Sequence, residues 1–118
     1  MHTIKIYHNP RCSKSRATLR LLKENDVTPE IVHYLESPPT SDELKDLLQK
    51  LGMGIRELIR TSEPEYCELG LNDMSLGEPI VFDIICKHPK LMQRPIVIKD
   101  DQAIIGRPPE NVLALLGD

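Results

Sequence analysis

The sequence predicts an α/β domain over residues 1–118, with a βαβ unit at its start, a ββα unit at its end and a helical insert at residues 36–90. Three observations predict it. β-Branched and aromatic runs at residues 3–7 and 30–35 bracket a stretch whose apolar residues recur at helical spacing. Leu44, Leu47, Leu48 and Leu51 fall at i, i+3, i+4 and i+7, one stripe of an amphipathic helix. Ile96, Val97 and Ile98 are separated from Ala103, Ile104 and Ile105 by a polar Lys99-Asp100-Asp101-Gln102 turn, the pattern of a β-hairpin.

The first strand ends at Asn9-Pro10, and Ala17, Leu21 and Leu22 carry a helix to the breaker Asn25-Asp26. So short a connection between two strands predicts a parallel pair with a right-handed crossover. After Ser37-Pro38-Pro39, Thr40 and Glu43 form a capping-box pattern that starts the leucine-striped helix, and Gly52 and Gly54 stop it. A short helix follows with Ile55, Leu58 and Ile59 on one face and Arg56 and Arg60 on the other. Two more helical stretches occupy residues 63–69 and 79–87, the second ended by His88-Pro89. Beyond the hairpin, Gly106-Arg107-Pro108-Pro109 breaks the strand, and Val112, Leu113, Leu115 and Leu116 predict a closing amphipathic helix.

A chain of 118 residues can bury a core without metal or disulfide staples. Its net charge of -3 offers no global attraction to nucleic acid or an anionic membrane, so any basic site must be local. The opening MHTIKIYHNP lacks the apolar stretch of a signal peptide, and no apolar run approaches the roughly 20 residues of a membrane span. A soluble, cytoplasmic protein is expected. Cys12, Cys67 and Cys86 are odd in number and include no CxxC and no paired Cys/His spacing. That argues against a disulfide framework and a metal site, and free thiols point to a reducing compartment. Cys67 in EPEYCELGL and Cys86 in VFDIICKHP read as buried cysteines on helices.

Chemistry concentrates in IKIYHNPRCSKSR, residues 4–16. A cysteine attacks as its thiolate, and its pKa of about 8.5 falls at a helix N-terminus or beside cations. Cys12 lies where strand gives way to helix, with free backbone N–H groups and with His8, Arg11, Lys14 and Arg16 close in sequence. The same features would cradle an oxyanion. A cysteine taken at random is more often a core residue, but one in a polar NPRCSKS loop reads as a nucleophile. His8 reads equally well as a base, a charge partner of the thiol or a solvated side chain at a strand end. Cys12-Ser13-Lys14-Ser15 has the shape of CxxC with serine replacing the second thiol, so an outside thiol must resolve anything bound to Cys12. Phosphatase-type loops place five residues between Cys and Arg, which disfavours that reading for Cys12 and Arg16. Alone, each of Arg60, Arg94 and Arg107 reads as a solvated surface residue; a shared role requires the fold to bring them together.

Five stretches carry a resemblance over essentially the whole chain: YHNPRCSKSR around Cys12, HYLESPP at 33–39, GIRELIR ending at Arg60, RPIVI from Arg94, and GRPPE containing Arg107. In that order they resemble the glutaredoxin-coupled arsenate reductase (ArsC-like) family, and within it the short bacterial YfgD-type members. The resemblance implies a thioredoxin-like fold with a helical insert and a nucleophilic Cys12 with His8 near the thiol. It also implies an oxyanion cradle of Arg60, Arg94 and Arg107 with Asn9, Ser15 and Arg16 of the loop. Pro95 would be structural at the site, its Arg94-Pro95 peptide cis, a form for which the proline amide lowers the cost to about 0.5–1 kcal/mol. The implied activity is reduction of arsenate to arsenite, with glutathione as co-substrate, glutaredoxin as recycling partner, no tightly bound cofactor, and a monomer that engages neither nucleic acid nor membrane. Where established members tend to carry Ala-Cys-Gly-Thr-Ser-Arg, this chain has Arg11-Cys12-Ser13-Lys14-Ser15-Arg16, two more cations beside the thiol. Two other functions would use related features: a glutathione-dependent thiol-disulfide oxidoreductase, and a regulatory binding module resembling Spx, whose members usually carry CxxC.

Overall fold

In the computed structural model, which describes residues 4–116, strands β1 (Ile4–Tyr7), β2 (Glu30–Val32), β3 (Ile96–Lys99) and β4 (Gln102–Ile105) form one sheet of order β2-β1-β3-β4. β1 runs parallel to β2 and antiparallel to β3, and β3 is antiparallel to β4. As a central strand β1 buries consecutive residues, Ile6 and Tyr7, on its two faces. Helix α1 (Ser13–Glu24) makes the crossover between the parallel strands. Its Leu22 joins Ile6, Val97, Val112 and Leu115 in one core cluster, the last two from a 3-10 turn (Pro109–Val112) and the closing helix. Each such side chain contributes roughly 1.5–3 kcal/mol on burial, enough to fix α1 against the sheet. The N-terminus of α1 is thereby held close after the C-terminal end of β1. These elements form one unit, which reaches Ser37 and resumes at Arg94.

The second unit, Pro38–Gln93, contains α2 (Ser41–Leu51), α3 (Ile55–Leu58), α4 (Pro64–Glu68), α5 (Glu78–Lys87) and a 3-10 turn at Pro89–Leu91. The α2 capping box forms: the Glu43 N–H donates to Thr40 Oγ1 at 3.2 Å and the Thr40 N–H to Glu43 Oε1 at 2.9 Å. Leu44, Leu47 and Leu48 are buried on α2, which packs on α5 and its buried Val81, Phe82 and Ile85. Gly52 ends α2 at φ 70, a left-handed conformation that favours glycine.

Three expectations change. β2 stops at Val32 because the His33 carbonyl accepts the Glu36 and Ser37 N–H groups, which folds residues 33–37 into a turn. α3 stops at Leu58 because Ile59 bridges to Met92 and the Arg60 N–H donates to the Leu91 carbonyl at 2.7 Å, so Arg60 follows the helix and does not lie on it. Cys67 is exposed and Cys86 half-buried, where core positions were expected. α4 has only five residues and buries none of them, its sequence being too polar to offer an apolar stripe. Replacing Thr40 by Ala should lower stability by about 1 kcal/mol through loss of the α2 cap, read as a lower urea midpoint at unchanged slope.

Candidate active site

The His8 N–H donates to the Val32 carbonyl at 3.0 Å, the last ladder bond before the chain turns into α1. Asn9 organises the turn: its carbonyl accepts the Cys12 N–H at 3.0 Å and its Oδ1 accepts the Arg11 N–H at 3.0 Å. Two bonds then tie the loop to the first turns of α1, Arg16 Nη1 to the Pro10 carbonyl at 2.8 Å and the Asn9 N–H to Ser15 Oγ at 3.0 Å. Ser15 is fully buried, and its hydroxyl also lies 2.6 Å from His8 Nδ1. Its side chain therefore serves the loop.

Cys12 occupies the N-cap of α1, with φ -94 and ψ 122, and its side chain makes no capping hydrogen bond. Caps are ordinarily Ser, Thr, Asp or Asn. Here the backbone N–H groups of Ser15 and Lys14 lie close enough to the sulfur to favour its thiolate. Burial pushes the Cys12 thiol up, but those two N–H groups and the charge and hydrogen bond of Arg94 outweigh it and hold the thiol below its ordinary value. Burial, then the charges of His33, Arg16 and Lys23, lower the pKa of His8 from its ordinary value and disfavour the imidazolium.

Arg94 reaches the thiol through strand register. Tyr7 of β1 pairs with Ile96 of β3, and Ile96 with Ile105 of β4. One residue further the Gly106 N–H donates to the Pro95 carbonyl at 2.9 Å. Arg94 and Arg107 thus leave the hairpin at the end of the sheet where β1 delivers the Cys12 loop. Arg94-Pro95 is cis, and so is Arg107-Pro108, which the sequence reading did not anticipate. Thr18 was also missed. The buried stripe of α1 is Ser15, Thr18 and Leu22, polar toward the site and apolar beyond it. A Cβ on Gly106 would lie 2.7 Å from Thr18 Oγ1 and 3.0 Å from Pro95 Cγ, so only glycine lets the Arg107 segment approach α1 this closely. Its signal in the sequence was the glycine itself between strand and arginine.

Arg94 Nε is buried with no hydrogen-bond partner, and among the described residues its guanidinium has no carboxylate partner. Arg107 is exposed. Arg60 belongs to the helical unit, where its Nη1 meets Glu63 Oε2 at 3.1 Å. Two hollows flank the loop at His8: one of about 600 Å³ along Arg16, Arg20 and Lys23, and one of about 190 Å³ along Asn9, Arg11 and His33. Among the described residues no group of three or more His, Cys, Asp or Glu is placed to hold a metal ion, and no helix is long and apolar enough to cross a membrane.

Residues 7–115 match the model of the ArsC family. The chain belongs to that family. It is 56% identical over 115 residues to the protein YfgD of Escherichia coli (strain K12), covering 97% of each chain. It is 47% identical over 117 residues to a protein of Neisseria meningitidis serogroup A named arsenate reductase, covering 98% of this chain and 100% of that one. The solved structure named arsenate reductase from Vibrio cholerae superposes with a TM-score of 0.92 at 47% identity, covering 95% of this chain and 96% of that one. The sheet and its flanking helices are the thioredoxin-like fold of this family.

The Cys12 geometry has measurable consequences. Alkylation of Cys12 should titrate below the free-thiol value of about 8.5, and Arg94→Gln should move the midpoint upward. Because the thiolate is favoured only in the folded chain, stability should rise with pH from the folded pKa of Cys12 to about 8.5, and Cys12→Ser should remove that rise in pH-dependent melting. Gly106→Ala should cost about 1–3 kcal/mol in urea denaturation, since Thr18 or Pro95 must move to admit the methyl group.

Proposed function

We propose that this ArsC-family protein reduces arsenate to arsenite with Cys12 as nucleophile and Arg60, Arg94 and Arg107 as oxyanion ligands. The observation that carries the reading is a Cys12 thiol lowered by Arg94 while Arg94 keeps a buried, unpartnered Nε. An arginine whose charge faces the nucleophile and lacks a carboxylate partner is equipped to hold the oxygen of an anion beside it. The Cys12 thiolate attacks arsenic, an S–As bond forms, and an arsenate oxygen leaves as water, taking its protons from the anion and solvent. The arginines neutralise charge on the remaining oxygens. A glutathione thiolate then attacks, the S–As bond breaks, and its electron pair stays on arsenic. Arsenic(V) becomes arsenic(III), while Cys12 and glutathione are oxidised to a mixed disulfide. Glutaredoxin exchanges that disulfide with a second glutathione and restores the thiol.

Several features support the thiol supply from outside. Ser15 stands where a second thiol would close a local disulfide, and Cys67 and Cys86 both lie in the helical unit. Burial, Asp83 and Glu43 also hold the Cys86 thiol above its ordinary value, which makes it a poor attacking group. The hollow along Arg16, Leu19, Arg20, Lys23 and Glu24 offers a place for glutathione, its carboxylates toward the three cations. His8 acts through Ser15: its ring fixes the hydroxyl whose residue presents an N–H to the sulfur. A plain thiol-disulfide oxidoreductase would use Cys12 and its lowering by Arg94 but would gain little from three convergent arginines. The protein is expected to work as a soluble cytoplasmic monomer with no tightly bound cofactor.

The test is arsenite production from arsenate, glutathione and glutaredoxin. Cys12→Ser should abolish it, Arg94→Ala should reduce kcat/KM by about 1.5–3 kcal/mol of transition-state stabilisation, and the Cys67→Ser, Cys86→Ser double variant should retain most of it. Mass mapping of the turnover mixture should find glutathione on Cys12. Disulfide reduction at full rate with no arsenite formed would replace the reading with the oxidoreductase one, and an internal Cys12 bridge formed at the turnover rate would remove the glutathione step.

A further inference from the structure

We infer that Glu63 is a positioning residue for Arg60, holding its guanidinium with one edge open to the oxyanion; the inference rests on the place given to Arg60 in the proposed cradle. Residues 60–63 form a tight turn closed twice. The Glu63 N–H donates to the Arg60 carbonyl at 3.2 Å, and Glu63 Oε2 pairs with Arg60 Nη1 at 3.1 Å. The backbone of Arg60 is fixed independently, by its N–H on the Leu91 carbonyl at 2.7 Å and by the Ile59 bridge to Met92. Both ends of the arginine are therefore held.

The pair is sheltered: the Arg60 and Glu63 side chains are 16% and 21% exposed. Shelter matters because freely exposed pairs contribute little. Glu63 also has a second cation. Its Oε1 lies 3.8 Å from Lys90 Nζ, and Lys90 lies 2.5 Å from Glu65 Oε2. Lys90 adjoins Leu91, the residue that holds the Arg60 N–H, so one short segment fixes the backbone of Arg60 and the carboxylate that orients its side chain. With Lys90 sharing the charge of Glu63, Arg60 is oriented without being fully neutralised. A guanidinium has five donors, and the described residues show no side-chain partner for Arg60 besides Glu63. The Nη2 and Nε edge stays available for a bidentate grip on an anion.

The experiment measures the arsenate concentration that half-protects Cys12 from iodoacetamide, alongside reductase kinetics and melting temperature, in Glu63→Gln, Arg60→Gln and the double variant. Glu63→Gln should raise the half-protecting concentration and KM about three- to tenfold with kcat changed less than twofold, and should add nothing once Arg60 is Gln. Lys90→Gln, at a half-exposed side chain, should shift protection the same way by a smaller factor. A rise from Glu63→Gln that persists in the Arg60→Gln background, or a lowered melting temperature with protection unchanged, overturns the inference and leaves the cradle standing. Protection unmoved by Arg60→Gln removes Arg60 from the cradle, and the role of Glu63 falls with it.

Discussion

A sulfur atom in the N-cap of α1 is the constraint around which the sheet unit is arranged. The start of an α-helix leaves backbone N–H groups without partners, and evolution usually meets them with a short oxygen-bearing side chain. Cys12 has none, so the N–H groups of Ser15 and Lys14 are satisfied best when the sulfur is an anion. A neutral thiol is a weak acceptor, and the helix start is under-capped until the proton leaves. A Ser or Asp cap is worth about 1 kcal/mol in ordinary helices; at Cys12 the same N–H groups favour the thiolate instead. The remaining contacts hold the loop that delivers Cys12 to this position. Asn9 closes the turn with its carbonyl and its Oδ1, Arg16 clips the Pro10 carbonyl, and Ser15 joins His8 to Asn9 from within.

Topology supplies what local chain cannot. A parallel β1-β2 pair requires a crossover, and the crossover helix must begin just past the C-terminal end of β1. Because β3 is antiparallel to β1, the residues before β3 fall at that same end, and because β4 is antiparallel to β3, so do the residues after β4. Three segments remote in sequence are delivered to one edge by hydrogen-bond register alone. Gly106 then sets how closely they approach, since the absence of a side chain there lets Thr18 of α1 contact the backbone of the Arg107 segment.

What could be read from the sequence follows the range of the interaction that decides it. The capping box at Thr40 and Glu43, the leucine stripe of α2 and the hairpin around Asp100 and Asp101 are decided by residues within a few positions of one another, and each was legible. The end of β2 was not, because a turn closed on the His33 carbonyl takes up His33, Tyr34 and Leu35, whose aromatic and apolar side chains read as a continuing strand. The end of α3 was not, because its decisive partners, Leu91 and Met92, lie on another segment. The place of Cys12 between strand and helix was legible from its loop composition. The inward role of the Ser15 hydroxyl and the lowered pKa of His8 were not, since both depend on burial.

The same distinction corrects the electrostatic picture of the site. In the sequence Cys12 is ringed by Arg11, Lys14 and Arg16, and proximity along the chain invites the conclusion that these cations activate it. All three are exposed, and a charge projecting into water acts through a high dielectric and a screening length of about 8 Å at physiological salt. Arg94 is half-buried, with Nε out of solvent, and acts on the sulfur both as a charge and as a hydrogen-bond donor. One sheltered guanidinium therefore outweighs three solvated neighbours. Lys14 contributes through its backbone N–H, a contribution that any residue but proline could make.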